Sequence, residues 1–127
     1  MENKRVWDNN IIVAVDYDGT IAEQGKLTEE GVDMVKLLSS LPVTLVLWTC
    51  RHGSSLDEAL EEISKYNLHF DYINDTEGDR YDGRKINADL YIDDKNPGGV
   101  QWDLAFECIH DLIRKGNGKY KDGGNYV

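Results

Sequence analysis

Proline, cysteine and phenylalanine are scarce in this chain, with two of each among 127 residues. Two prolines exclude a proline-rich linker or a polyproline ligand. Cys50 and Cys108 are too few and too far apart for a disulfide framework or a metal knuckle, so a reducing, cytoplasmic compartment is expected. No apolar run approaches the roughly 20 residues of a membrane span, and mean hydropathy is −0.55. Residues 1–10 are charged and polar and lack the apolar segment of a secretory signal. Cations are also in short supply. Lys and Arg number 14 against 24 Asp and Glu, for a formal net charge of −10. An acidic chain is a poor binder of nucleic-acid polymers, because neutralising a phosphate backbone takes clustered Lys and Arg. It leaves room for a small phosphorylated ligand at one local site.

The length suits one domain, at roughly 100–200 residues each, and one core that needs no disulfide or structural metal. Hydrophobic residues make up 40% of the chain, which excludes a disordered composition. The expected organisation is a single domain over residues 1–118 and a Gly- and Lys-containing tail over 119–127.

Four segments read as buried strands: 11–15, 43–47, 70–73 and 90–92. Their apolar runs are continuous rather than alternating, which predicts strands covered on both faces, as in a parallel sheet. Helical patterns lie between them. Thr28 is a candidate N-cap, with Glu29 and Glu30 in the first turn and Val32, Val35 and Leu38 at helical spacing. Ser54 or Ser55 is expected to cap a second helix, carrying Leu56, Ala59, Leu60 and Ile63 and closed by Asn67. A last helix carries Trp102, Ala105, Phe106, Ile109, Leu112 and Ile113, and the glycines Gly116 and Gly118 end it. The alternation predicts an α/β fold: a three-layer α/β/α sandwich around a mainly parallel, Rossmann-like sheet. Ligands of such sheets bind beyond the carboxyl ends of the strands.

The polar residues after each apolar run should therefore meet at one edge: Asp16 and Asp18, Thr49 and Arg51, Asn74 and Asp75, Asp93 and Asp94. Asp16 and Asp18 precede the turn signal Gly19-Thr20. Two carboxylates at this spacing make either a strand-end turn or a hard-oxygen site for a divalent ion such as Mg²⁺. Asp93-Asp94 tips the balance, since two adjacent acids at a strand end repel unless a cation compensates them. Thr49 offers a hydroxyl and Lys85 a mobile positive charge, and together they suit phosphate oxygens. Each also has a plain structural reading, as a strand-end β-branched residue and an exposed helix lysine. Arg51, Arg80 and Arg84 are either substrate contacts or solvated arginines. His52 reads as a surface residue at a helix entry, His69 and His110 as surface or core-edge positions, and Cys50 as packed beside the site.

Asp16-Tyr17-Asp18-Gly19-Thr20-Ile21, after a hydrophobic strand, resembles the first motif of the haloacid dehalogenase (HAD) superfamily of phosphotransferases. Leu47-Trp48-Thr49-Cys50-Arg51 is similar to its second motif, Lys85 to its third-motif lysine, and Tyr91-Ile92-Asp93-Asp94 to its acidic fourth motif. All four occur in the family's order over about two-thirds of the chain.

The resemblance implies a Mg²⁺-dependent phosphomonoester hydrolase. Asp16 is then the nucleophile that forms an aspartyl-phosphate, and Asp18 the acid and base of the two steps. Thr49 and Lys85 hold the phosphoryl oxygens, with Arg51 as a further substrate-binding residue. The metal site consists of Asp16, the backbone carbonyl of Asp18 and one acid of the Asp93-Asp94 pair, with Asp94 expected as the direct ligand and Asp93 behind the ligands or bound through water. A non-catalytic phosphate- or Mg²⁺-binding module and a phosphotransferase stand as alternatives.

Neither residues 20–41 nor 51–84 have room for an inserted cap domain, so the chain resembles the capless members. Their open sites serve large phosphorylated substrates or are closed by a neighbouring subunit of a homo-oligomer. The loop 74–84 would serve as a partial lid.

Overall fold

The computed structural model describes residues 11–74, 88–95 and 98–115. In chain order its elements are β1 (Ile12–Asp16), β2 (Ala22–Glu23), β3 (Lys26–Leu27), α1 (Glu29–Ser39), β4 (Thr44–Trp48), α2 (Gly53–Lys65), β5 (Tyr72–Ile73), β6 (Leu90–Ile92) and α3 (Trp102–Lys115). Four strands form one sheet in the order β5-β4-β1-β6, and every pairing in it is parallel. All four expected strands are present, 90–92 at its expected bounds and the other three shifted by one or two residues at their ends. The expected tail 119–127 and the glycines Gly116 and Gly118 lie outside the described residues.

β1 is central because its run Ile-Val-Ala-Val is buried on both faces. On one face Val13, Val15, Leu45, Leu47 and Ile92 join Val35 and Leu38 of α1, Ala59 and Ile63 of α2, and Ile109 and Leu112 of α3 in a single cluster. On the other face Ile12, Ala14 and Val46 pack with Ala88 and the part-buried rings of Trp48, Tyr72 and Tyr91. The described residues thus supply the parallel Rossmann-like sheet and a helical layer on one face. The second helical layer of a three-layer sandwich is not seen among them, and neither is a cap domain.

Two acids finish the sheet at the edge where β1 and β4 begin. Asp89 accepts the Ile12 N–H at 2.8 Å, and the fully buried Asp71 accepts the Leu45 N–H at 2.7 Å. These amides would otherwise be buried donors without a partner, which costs about 1–3 kcal/mol each. His69 Nε2 lies 2.9 Å from the second oxygen of Asp71, so this histidine belongs to the frame of the sheet.

Between β1 and α1, in the segment too short for a cap domain, stands a hairpin that the sequence analysis does not predict. β2 and β3 pair antiparallel through a two-residue turn with positive φ at both Gln24 (52°) and Gly25 (84°), the conformation of a type I′ turn. Two side chains hold it down. The fully buried Tyr17 donates its hydroxyl to the Gly25 carbonyl at 3.0 Å, and Glu62 of α2 accepts the Leu27 N–H at 3.1 Å.

α1 begins as expected: Thr28 Oγ1 accepts the Gly31 N–H at 2.9 Å, and Glu29 and Glu30 fill the first turn. Gly31 sits where a Cβ would overlap the Ile21 carbonyl, so the helix passes close under the loop that follows β1. α2 departs from expectation. Its N-cap is His52, not Ser54 or Ser55. The reason is local: the Ser55 hydroxyl turns back to accept the His52 N–H and donate to the His52 carbonyl. Asn67 closes this helix in the left-handed region (φ 58°), with the Leu68 N–H reaching the Ile63 carbonyl.

Candidate active site

Parallel register decides which strand ends meet. Asp16 pairs with Trp48 and Val15 with Ile92. Asp93 therefore leaves β6 beside Asp16, and Thr49 leaves β4 on its other side. Carboxylate oxygens of Asp16, Asp93 and Asp94 lie within 4.8 Å of one another, and all three residues are partly buried. Thr20 ties the group together. Its hydroxyl donates to Asp16 Oδ2 at 3.3 Å and accepts the Asp94 N–H at 3.1 Å. Gly19 (φ 81°) allows the close approach: a Cβ there would overlap the Asp94 carboxylate.

Asp16, this close to two other carboxylates, should resist ionising. Asp16 is pushed up to about 6, first by burial, then by the charge of Asp93 and, more weakly, of Asp94. Hydrogen bonds from the Tyr17 N–H and the Thr20 hydroxyl oppose the shift without cancelling it. A divalent cation bound by the three carboxylates would remove this repulsion.

Asp18 points elsewhere. Its two oxygens accept Nε and Nη2 of Arg51 at 2.7 and 2.8 Å, a bidentate pair. These hydrogen bonds hold its carboxyl below the usual range. Arg51 is itself anchored. Nη1 donates to the Ser55 carbonyl at 3.0 Å, and the guanidinium carbon lies 5.2 Å from the centroid of the Tyr17 ring. Burial and the nearby Glu62 push the Tyr17 hydroxyl up to about 12, so it remains a donor to the hairpin. Thr49 is buried; its N–H goes to Asn74 Oδ1 at 2.8 Å, and its hydroxyl accepts the Arg51 N–H at 3.1 Å.

Asp16, Asp93 and Asp94 are thus brought together, with Thr49 at the neighbouring strand end. Asp18, expected at the metal through its backbone carbonyl, keeps its carboxylate outside the cluster, on Arg51. Lys85, Arg80, Arg84, Asp75 and most of the expected lid 74–84 lie outside the described residues. Cys50, expected to be packed, is exposed. His52 caps α2 at the surface, and His110 is exposed on α3. The sequence reading places Thr20 only in a turn and gives no contact to its hydroxyl, to Tyr17, or to Asn74 as the holder of Thr49. Thr20 was within reach, because a hydroxyl four residues after a strand-end acid stands on the same turn.

Fold and site together define an α/β protein with a Rossmann-like parallel sheet and a carboxylate cluster at its carboxyl edge. The chain belongs to the same family as a conserved, locus-coded protein of Bacteroides thetaiotaomicron, whose solved structure is 36% identical in sequence. The match has a TM-score of 0.66 and covers 80% of this chain and 91% of that one. No family model matches the chain, and no curated protein matches it.

Proposed function

We propose that the chain is a capless phosphatase of the HAD superfamily, a Mg²⁺-dependent phosphomonoester hydrolase working through an aspartyl-phosphate. The observation that carries this reading is the clustering of Asp16 with Asp93 and Asp94, since the motif likeness alone does not require these strand ends to meet. The donor set suits Mg²⁺, which takes a few carboxylates and completes its octahedron with waters and substrate phosphate. Asp16 and Asp94 would bind it directly, with Asp93 through water. When bound, the ion offsets the repulsion between the Asp16 carboxylate and a phosphate dianion.

The chain's own residues then divide the work. An Asp16 oxygen attacks phosphorus, forming a carboxyl O–P bond as the ester P–O bond breaks, and Asp18, which takes up a proton on leaving Arg51, gives that proton to the leaving oxygen. In the second step water attacks the aspartyl-phosphate, its proton passes to Asp18, and inorganic phosphate leaves with Asp16 restored. Thr49 lies at the adjacent strand end, where a hydroxyl can donate to a phosphoryl oxygen. Lys85 is assigned the same task as a point charge. The compartment we assign is the cytoplasm, consistent with two free thiols. Among the described residues no helix is long and apolar enough to cross a membrane.

The test is phosphate release from nucleotides, sugar phosphates, phosphopeptides and end-phosphorylated oligonucleotides, with Mg²⁺ and with EDTA. Release that needs Mg²⁺ and disappears in Asp16→Asn is expected. Release that persists in Asp16→Asn removes Asp16 as nucleophile. Calorimetric Mg²⁺ binding with no release from any ester assigns a binding role instead.

A further inference from the structure

We propose that the substrate is a phosphomonoester whose leaving group bears a second anion, and that Arg51 binds this anion in exchange for Asp18. The inference rests on the phosphatase reading, which places Asp18 against the leaving oxygen. A side chain that pairs with Asp18 then borders the leaving group rather than the phosphoryl group in transfer. Arg51 is that side chain, through Nε and Nη2 at 2.7 and 2.8 Å.

The two partners are held very differently. The Arg51 side chain is only 18% exposed, and Ser55 and the Tyr17 ring keep the guanidinium in place independently of Asp18. The Asp18 side chain is 50% exposed. Water can solvate a carboxylate this exposed as it departs, so Asp18 is the member free to leave. A guanidinium fork accepts a carboxylate or a phosphate in the same bidentate geometry, so an arriving anion can take the place of the departing one. In a chain of net charge −10 a doubly anionic ligand needs such a local cation. Asp18, once replaced, is free to turn to the leaving oxygen.

The experiment compares kcat/KM of the full chain, with Mg²⁺, for two matched pairs. One is phosphoglycolate against phosphoglycolamide; the other is ethylene glycol bisphosphate against ethylene glycol monophosphate. The anionic member of at least one pair should be favoured on the order of tenfold, as for one charge-assisted hydrogen-bonded pair. Whichever pair shows the preference identifies the second anion as carboxylate or phosphate. Arg51→Gln should reduce the preference to about twofold or less, and Arg51→Lys should keep an intermediate value.

Equal rates within both pairs would overturn the proposal and leave the phosphatase intact. So would a preference that survives in Arg51→Gln. Absence of Mg²⁺- and Asp16-dependent hydrolysis across these esters and the wider panel would overturn the phosphatase reading itself. The wild-type ratios stand whether or not Arg51→Gln folds.

Discussion

Asp16 is a carboxylate whose surroundings favour its protonated form. Its raised value, about 6 against 3.8 in an unstructured chain, means that the folded protein binds a proton more tightly than the unfolded one between those limits. Stability is then greatest below the unfolded value and is lost as pH rises through about 6. Asp16→Asn removes the charge and should stabilise the protein in EDTA at neutral pH by about 1–2 kcal/mol, allowing for screening at a half-buried group. At pH 4 the two proteins should melt together. A denaturant titration at both pH values checks this, and a gap of equal size at each would mean that charge repulsion is not its source. Mg²⁺ should reverse the order at neutral pH by stabilising the wild type more than the variant. Gly19 is the second sensitive position, with φ at 81° and the Asp94 carboxylate where a Cβ would go. Gly19→Ala should lose about 1–3 kcal/mol of stability and bind Mg²⁺ more weakly, as melting and calorimetry would show. Unchanged Mg²⁺ affinity would place Asp94 outside the proposed metal site.

At the scale of elements, the hairpin after β1 was the least legible. Each of its strands has two residues, too few to display a period of two, and Gln24-Gly25 lacks the Asn or Asp that usually marks a type I′ turn. Its anchors come from afar: Tyr17 precedes it, and Glu62 reaches it across 35 residues of chain. The pairing of Asp18 with Arg51 was hidden for the same reason, since 33 residues separate them and no local pattern couples them. By contrast the strand-end acids could be read directly. Ile12 to Asp16 and Leu90 to Asp94 are apolar runs that end in carboxylates, and parallel pairing turns that shared grammar into proximity. Tyr17→Phe tests the hairpin clamp. Losing one buried hydrogen bond should cost about 1 kcal/mol, or a few degrees in Tm for a domain of this size. Hydrogen exchange should then quicken at Leu27 and Ala22 ahead of the main sheet. Uniform quickening across the sheet would instead make Tyr17 a core residue with no special hold on the hairpin.

For the whole molecule, if the chain is the phosphatase proposed, the net charge of −10 acts on each ester before it reaches the site. Exposed charges are felt over about 8 Å at physiological ionic strength and farther in dilute salt. A small ester passes through this field with a few charges, whereas an oligonucleotide carries one charge per phosphate into it. End-phosphorylated oligonucleotides should therefore be hydrolysed with lower kcat/KM than small esters at low salt. Their disadvantage should shrink as salt rises, because screening weakens repulsion as well as attraction. The sign of this salt dependence separates the two cases. A basic nucleic-acid site loses affinity steeply with added salt, while a repelled polyanion gains. Measuring kcat/KM for an oligonucleotide and a small ester from low to physiological salt decides it. A falling oligonucleotide rate would reveal a cationic track that overrides the net charge. A rising one would leave Arg51 as a local cation in an acidic molecule, serving substrates small enough to be held by it alone.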